Sequence, residues 1–326
     1  MGLVESSAYP YGANWEENFI GFGSGGFHDA ALWYYSRMDN PSSFVVQDGY
    51  YSFFAYREEL GAMPFPQTPR VLYHKNPLDQ VICQLRFPPI LRIEAAIPAD
   101  FQDSIRDAFP GFAESSELKV EMPPEVSDQV PPSILRQMVQ PPHLKSFEFA
   151  SEDGKRKVHL TRTFLALSTS DYHRWETFKE VLKRPLDALI QVYSPQYFVR
   201  IGLRYIDIIR RSKLGLSGVP WRELLCPHIS AVLGYPGVGE NVETQEAMYA
   251  VTLDDPSGAV RIRTNFVEAK DDGEICFVID SDFFTDQKTS LQEAAARLDY
   301  FNTRGSRLIR WCITERLHLA MEPEQL

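Results

Sequence analysis

Between positions 247 and 283 the chain holds three strand-length runs, 247–253, 259–267 and 274–283. They are parted only by Asp255-Pro256-Ser257-Gly258 and Asp271-Asp272-Gly273. Both connections carry turn chemistry and both are too short for a crossover, so the runs must pair as an antiparallel meander. A hairpin precedes them: 146–151, the turn Glu152-Asp153-Gly154, then 157–168, in which Val158, Leu160, Phe164 and Ala166 share a face. Each of these sheet-forming stretches runs into a helix. After Ser170 and Asp171, either of which can cap, Trp175, Phe178, Val181 and Leu182 fall at helical spacing. Leu186, Leu189, Ile190 and Tyr193 continue that stripe beyond Pro185. Ser290-Leu291-Gln292-Glu293 is a capping box. Leu291, Ala295, Leu298, Asn302, Gly305, Ile309, Cys312 and Arg316 then keep the helical period, which predicts one long helix to about residue 320, bent at Gly305.

The expected fold class is therefore α+β, an antiparallel sheet with helices packed on one face and a long C-terminal helix. The hairpin-then-helix order occurs twice, over 146–193 and 259–320, which hints at two related halves without a residue-level repeat. Further strands are expected at 81–87, closed by Pro88-Pro89, and at 198–209. Shorter helices are expected at 99–109, opened by Pro98 and ended by Gly111, and at 221–233. Three Pro-Pro pairs between 122 and 142 mark a long surface connection.

Composition narrows the class of protein. Of 326 residues, 44% are hydrophobic and 24% charged, enough to build a sizeable core. No apolar run reaches the roughly 18 residues of a membrane helix, and residues 1–10 lack the layout of a signal peptide. The expectation is a soluble, cytoplasmic protein with no membrane partner. A net charge of −11 argues against a nucleic-acid binder while leaving room for a local basic patch. Cys83, Cys226, Cys276 and Cys312 form no CxxC, and three of them stand among apolar neighbours, as buried thiols do. The seven histidines show neither HxxxH nor HExxH spacing, so no metal site is expected.

Residues 1–62 differ from the rest, which begins at Met63. They contain no lysine, two arginines (Arg37 and Arg57) and eight acids, and they hold 15 of the 41 aromatics and 8 of the 19 glycines. Two explanations stand: an aromatic-rich extension packed on a 63–326 domain, or a start assigned upstream of a natural beginning at Met63. Gly21-Phe22-Gly23-Ser24-Gly25-Gly26 matches GxGxxG, but only Phe19-Ile20 adjoins it where a strand is required. A flexible glycine loop is the better reading, and no cofactor is expected.

Several segments are recognisable together: Tyr73-His74-Lys75-Asn76-Pro77-Leu78 leading into Val81-Ile82-Cys83-Gln84-Leu85-Arg86-Phe87-Pro88, and Phe164-Leu165-Ala166-Leu167-Ser168-Thr169 before Trp175-Glu176-x-Phe178. Arg200-Ile201-Gly202-Leu203-Arg204-Tyr205-Ile206-Asp207, Val278-Ile279-Asp280-Ser281-Asp282 and the last helix follow in order. Over residues 65–321 the chain resembles a sporadically distributed bacterial family of about 250 residues that is functionally uncharacterised. The resemblance implies a bacterial cytoplasmic protein and brings no activity or site residues; residues 1–62 fall outside the family pattern.

Strand alternation yields one constellation. If the apolar faces all meet the helices, Arg86, Arg200, Arg204, Arg261, Arg263, Asp280 and Asp282 share the opposite face. That face is either a solvated surface laced with cross-strand ion pairs or a binding surface, since guanidinium forks suit phosphate and carboxylate. A third reading makes Asp280 and Asp282 an acid–base pair whose proximity raises one pKa. No nucleophile or base–orienter pair accompanies them. Two functions follow: a non-enzymatic binding or regulatory module for an anionic ligand or protein partner, or a hydrolase or transferase acting on a phosphorylated ligand. Asp207 has the parity of the apolar residues, so it lies past a strand end, the preferred reading, or is a buried, paired carboxylate.

Overall fold

The computed structural model describes residues 64–115, 145–254 and 258–326. The aromatic leader with its GxGxxG, the proline-rich 122–142 connection and the Asp255–Ser257 part of one turn lie outside these residues. The strands are β1 (Val71–Tyr73), β2 (Leu78–Arg86), β3 (Gly111–Ser115), β4 (Ser146–Ala150), β5 (Arg156–Leu160) and β6 (Phe164–Thr169). Then come β7 (Arg200–Ile209), β8 (Glu246–Thr252), β9 (Ala259–Glu268), β10 (Ile275–Thr285) and β11 (Pro323–Gln325). The α-helices are α1 (Arg92–Ala95), α2 (Ala99–Ile105), α3 (Trp175–Tyr193), α4 (Pro227–Ser230), α5 (Ala294–Cys312) and α6 (Glu315–Ala320).

Nine strands form one antiparallel sheet in the order β3-β4-β5-β6-β2-β7-β10-β9-β8, and β1 pairs with β11 in a separate ribbon. The order carries the twofold logic that the hairpin-then-helix pattern suggests. β2 leads through β3, β4 and β5 to β6, which pairs back onto β2 and is followed by α3. β7 leads through β8 and β9 to β10, which pairs back onto β7 and is followed by α5. β2 and β7 lie antiparallel side by side, so a half-turn between them relates the topology of the two halves.

Alternation decides which face is covered. Val81, Cys83 and Leu85 of β2, Ile201, Leu203 and Ile209 of β7, and Phe277, Ile279 and Phe283 of β10 are buried on one side. Each such side chain contributes roughly 1.5–3 kcal/mol through burial. Against them pack Trp175, Phe178, Leu182 and Leu189 of α3 and Leu298, Phe301 and Leu308 of α5. Helices therefore cover one face, as alternation requires.

Several local expectations are corrected. The single strand expected at 157–168 is two, β5 and β6, because Thr161 Oγ1 accepts from the amides of Thr163 and Phe164 and closes a turn. The helix at 99–109 ends at Ile105, and Gly111 opens β3 instead of ending a helix; a Cβ there would stand 3.2 Å from Ala150 of the paired strand. Neither Ser170 nor Asp171 caps α3: Arg174 stands at its N-cap with no side-chain bond, and Pro185 lies inside the helix, turned to the core. The helix expected at 221–233 is broken into a 3-10 turn, the four-residue α4 beginning at Pro227, and a second 3-10 turn.

The last helix is also two. The Ser290–Glu293 bonds of the expected capping box form, but in a turn ahead of α5, whose N-cap is Glu293 with no side-chain cap bond. Ile313 then leaves α5 in extended geometry and bridges to Leu225, and Thr314 caps α6 by accepting from the Leu317 amide. The buried stripe of α5 is Ala294, Leu298, Phe301, Arg304, Leu308 and Cys312. It shares Leu298 and Cys312 with the expected stripe; Ala295 is exposed, and Asn302, Gly305 and Ile309 line a cleft.

Candidate functional site

The registers of β2, β7, β10 and β9 bring all seven predicted residues to the face away from the helices. Arg86 is opposite Arg200, Asp282 is opposite both Arg204 and Arg261, and Asp280 is opposite Arg263. Long guanidinium arms carry Arg204 and Arg200 off these rungs, while Arg261 stays on its own. Arg204 donates from Nε and Nη2 to the two oxygens of Asp280, both at 2.6 Å. Arg200 folds back over Gly202 and donates from Nη2 to Asp282 at 2.9 Å and from Nη1 to Gln84 at 3.4 Å. A Cβ at position 202 would stand 2.5 Å from Arg200 Nη1, so glycine is what lets the guanidinium lie there.

Asp282 also faces Arg261 at 3.8 Å, and Asp286 faces Arg200 at 3.5 Å. Arg200 and Arg261 both lie over the Phe284 ring, at 5.0 and 5.3 Å from its centroid. Arg86 and Arg263 are exposed and have no ion pair among the described residues. Burial raises the Asp282 carboxyl above its ordinary range, against the lowering pull of Arg200, Arg204 and Arg261.

The other face holds a site that alternation alone did not assign. A cleft of about 500 Å³ opens between β7, α5 and the β1–β11 ribbon. Its lining includes Tyr73, Tyr172, Tyr205, Asp207, Ser281, Asn302 and Gly305, with Arg310, Glu315 and His318 also on its wall. The preferred reading of Asp207 is overturned: it lies inside β7, opposite Ile279 and Leu78. It is 7% exposed, and its carboxyl has neither a hydrogen bond nor an ion pair among the described residues, so the paired alternative fails too. Desolvation pushes it up to about 7.

The surrounding aromatics are fixed. Tyr73 shares a hydrogen bond of 2.8 Å with His318 Nδ1, and Tyr205 donates to Asn302 Oδ1 at 3.0 Å. Tyr172 meets the Tyr205 ring edge-on at 6.2 Å. Burial raises Tyr73 to about 12, and it lowers His318, disfavouring the imidazolium form. Gly305 sets the width of the cleft: a Cβ there would fall 2.8 Å from the Tyr205 ring, so glycine allows α5 to approach β7.

Among the described residues no group of three or more histidine, cysteine, aspartate and glutamate side chains is placed to hold a metal ion. No helix among them is long and apolar enough to cross a membrane. All four cysteines are free thiols, with Cys83, Cys276 and Cys312 buried. A scan against protein-family models and a search of curated proteins return no match for this chain.

Proposed function

We propose that the protein is a non-enzymatic binding module whose arginine face takes an anionic ligand or an acidic protein partner. The observation that carries this reading is the unequal use of the five arginines. Arg200, Arg204 and Arg261 are held by Asp280, Asp282 and Asp286, while Arg86 on β2 and Arg263 on β9 stand exposed without a carboxylate among the described residues. The held arginines give a fixed frame, and the two free ones offer unspent donors to carboxylate or phosphate oxygens. The face spans four strands, which suits an extended acidic segment.

The test is fluorescence anisotropy with a labelled oligoglutamate peptide at two salt concentrations. The wild type binds and weakens with salt, and the Arg86→Ala/Arg263→Ala double variant binds several-fold more weakly with its unfolding curve unchanged. Equal binding by both proteins overturns the reading.

One observation favours the enzymatic alternative, a hydrolase or transferase acting on a phosphorylated ligand: burial raises Asp282, as a general acid requires. Its supposed companion is less suited, because both Asp280 oxygens already accept from Arg204. Turnover of a generic aryl phosphate that disappears in Asp282→Asn supports this alternative; no turnover by the wild type removes it.

A further inference from the structure

We propose that the cleft on the helix-covered face binds a small organic cation, an alkyl- or arylammonium, whose charge meets Asp207 and whose apolar body lies against Tyr73, Tyr172 and Tyr205. This site is independent of the arginine face, because Asp207 and Asp280 point to opposite sides of the sheet.

The argument starts from the carboxylate. A buried ionisable group without a hydrogen-bond partner is costly, and folded proteins rarely keep one unless it is paired. Asp207 has no partner among the described residues and lines a cleft of about 500 Å³. The arginines on the cleft wall are committed elsewhere. Arg310 donates to Glu315 and to the Ile313 carbonyl, and Arg70 and Arg174 both donate to Glu176. A cation arriving from outside is therefore what completes the site. An anion would meet a like charge, and a neutral ligand would leave the carboxylate desolvated.

The remaining chemistry selects the class of cation. Among the described residues no group of three or more histidine, cysteine, aspartate and glutamate side chains, Asp207 included, is placed to hold a metal ion. Three tyrosine rings line the cleft instead, and aromatic faces attract ammonium groups. Two of those rings have their hydroxyls fixed, by His318 and Asn302, so the site is ordered before the ligand arrives. A volume of about 500 Å³ falls within the range of small-molecule sites. The raised Asp207 carboxyl agrees with this, since a bound ammonium would return it to the charged form.

The experiment is calorimetric titration of the full chain at pH 8 with benzylammonium, benzyl alcohol and benzoate at millimolar concentrations. Benzylammonium is expected to bind saturably, and benzyl alcohol and benzoate at least about tenfold more weakly, as loss of a buried charge pair requires. Asp207→Asn, which keeps the side-chain shape, should lose the preference for the cation. Ser306→Trp, an exposed substitution on the α5 wall of the cleft, should block benzylammonium while circular dichroism shows an intact fold. Equal binding of alcohol and ammonium, undiminished binding by Asp207→Asn, or no binding of benzylammonium by the wild type overturns the proposal.

Discussion

On the arginine face, Asp280 and Asp282 each meet at least one guanidinium within 3 Å, while Asp207, on the same pair of central strands but turned to the helices, meets none. The difference follows from what each face can admit. The arginine face admits long cationic side chains: Arg204 and Arg261 stay partly exposed while pairing with Asp280, itself only 8% exposed, and Asp282. The helix face is filled by Leu298, Phe301, Leu308 and Phe277 and Phe283 of β10, and a carboxylate among them has to be neutral or find a ligand. One sheet thus keeps its paired carboxylates and its buried carboxylate without a partner on opposite sides. Retaining aspartate where asparagine would be more stable is what a binding site, and not a packing requirement, explains.

The largest effect expected is on the packed side. Leu298→Ala should cost about 2–5 kcal/mol in denaturant unfolding, because the side chain is 2% exposed in the α5 stripe. A cost below about 0.5 kcal/mol would erase the distinction between the faces.

Next comes Asp207→Asn, read against pH. The folded carboxyl at about 7 lies above the ordinary 3.9 or so, so the native state holds an extra proton between those values. Its contribution to stability is therefore full below about pH 4, is lost as pH rises through 7, and is constant above. The variant should match the wild type at pH 4 and exceed it by about 3–4 kcal/mol at pH 8. The groups around Asp207 are Tyr205 on its own strand, Tyr73 from β1, Cys312 and Arg310 from α5, and Glu315 and His318 from α6. All are common to both proteins, so the difference curve isolates Asp207.

Gly305→Ala should cost about 1–3 kcal/mol, although alanine ordinarily favours a helix, because the added methyl meets the Tyr205 ring. The arginine face should respond least. Arg204→Ala should cost about 1 kcal/mol by freeing Asp280, and Arg263→Ala less than about 0.5 kcal/mol. Equal costs for these two would mean that the ion pairs contribute nothing to the contrast.

Much of this was readable from the chain, and the reasons are local. Period-two alternation in 198–206, 259–267 and 274–283 is enough to sort Arg200, Arg204, Arg261, Arg263, Asp280 and Asp282 onto one face, because a strand has only two. It cannot say which arginine reaches which aspartate, since Arg200 arrives at Asp282 only by folding over Gly202. Helical period proved less decisive. Leu291, Ala295, Leu298, Asn302 and Gly305 form a legitimate stripe, but the core uses a neighbouring one through Phe301 and Leu308.

That offset is why the cleft was missed. Asn302, Gly305 and Ile309 read as core positions when they are its wall. The signal that could have found the cleft was Asp207 itself, whose parity with Leu203 and Tyr205 placed it on the buried face. The break at Ile313 was not legible, because it depends on a bridge to Leu225, 88 positions earlier.

The most direct test of the contrast between the faces is the titration of Asp207 by carboxyl carbon-13 NMR, assigned with Asp207→Asn. A midpoint near pH 7 is expected for a desolvated carboxylate without a partner. A midpoint at or below about 4 would show it solvated or paired, and would contradict the account.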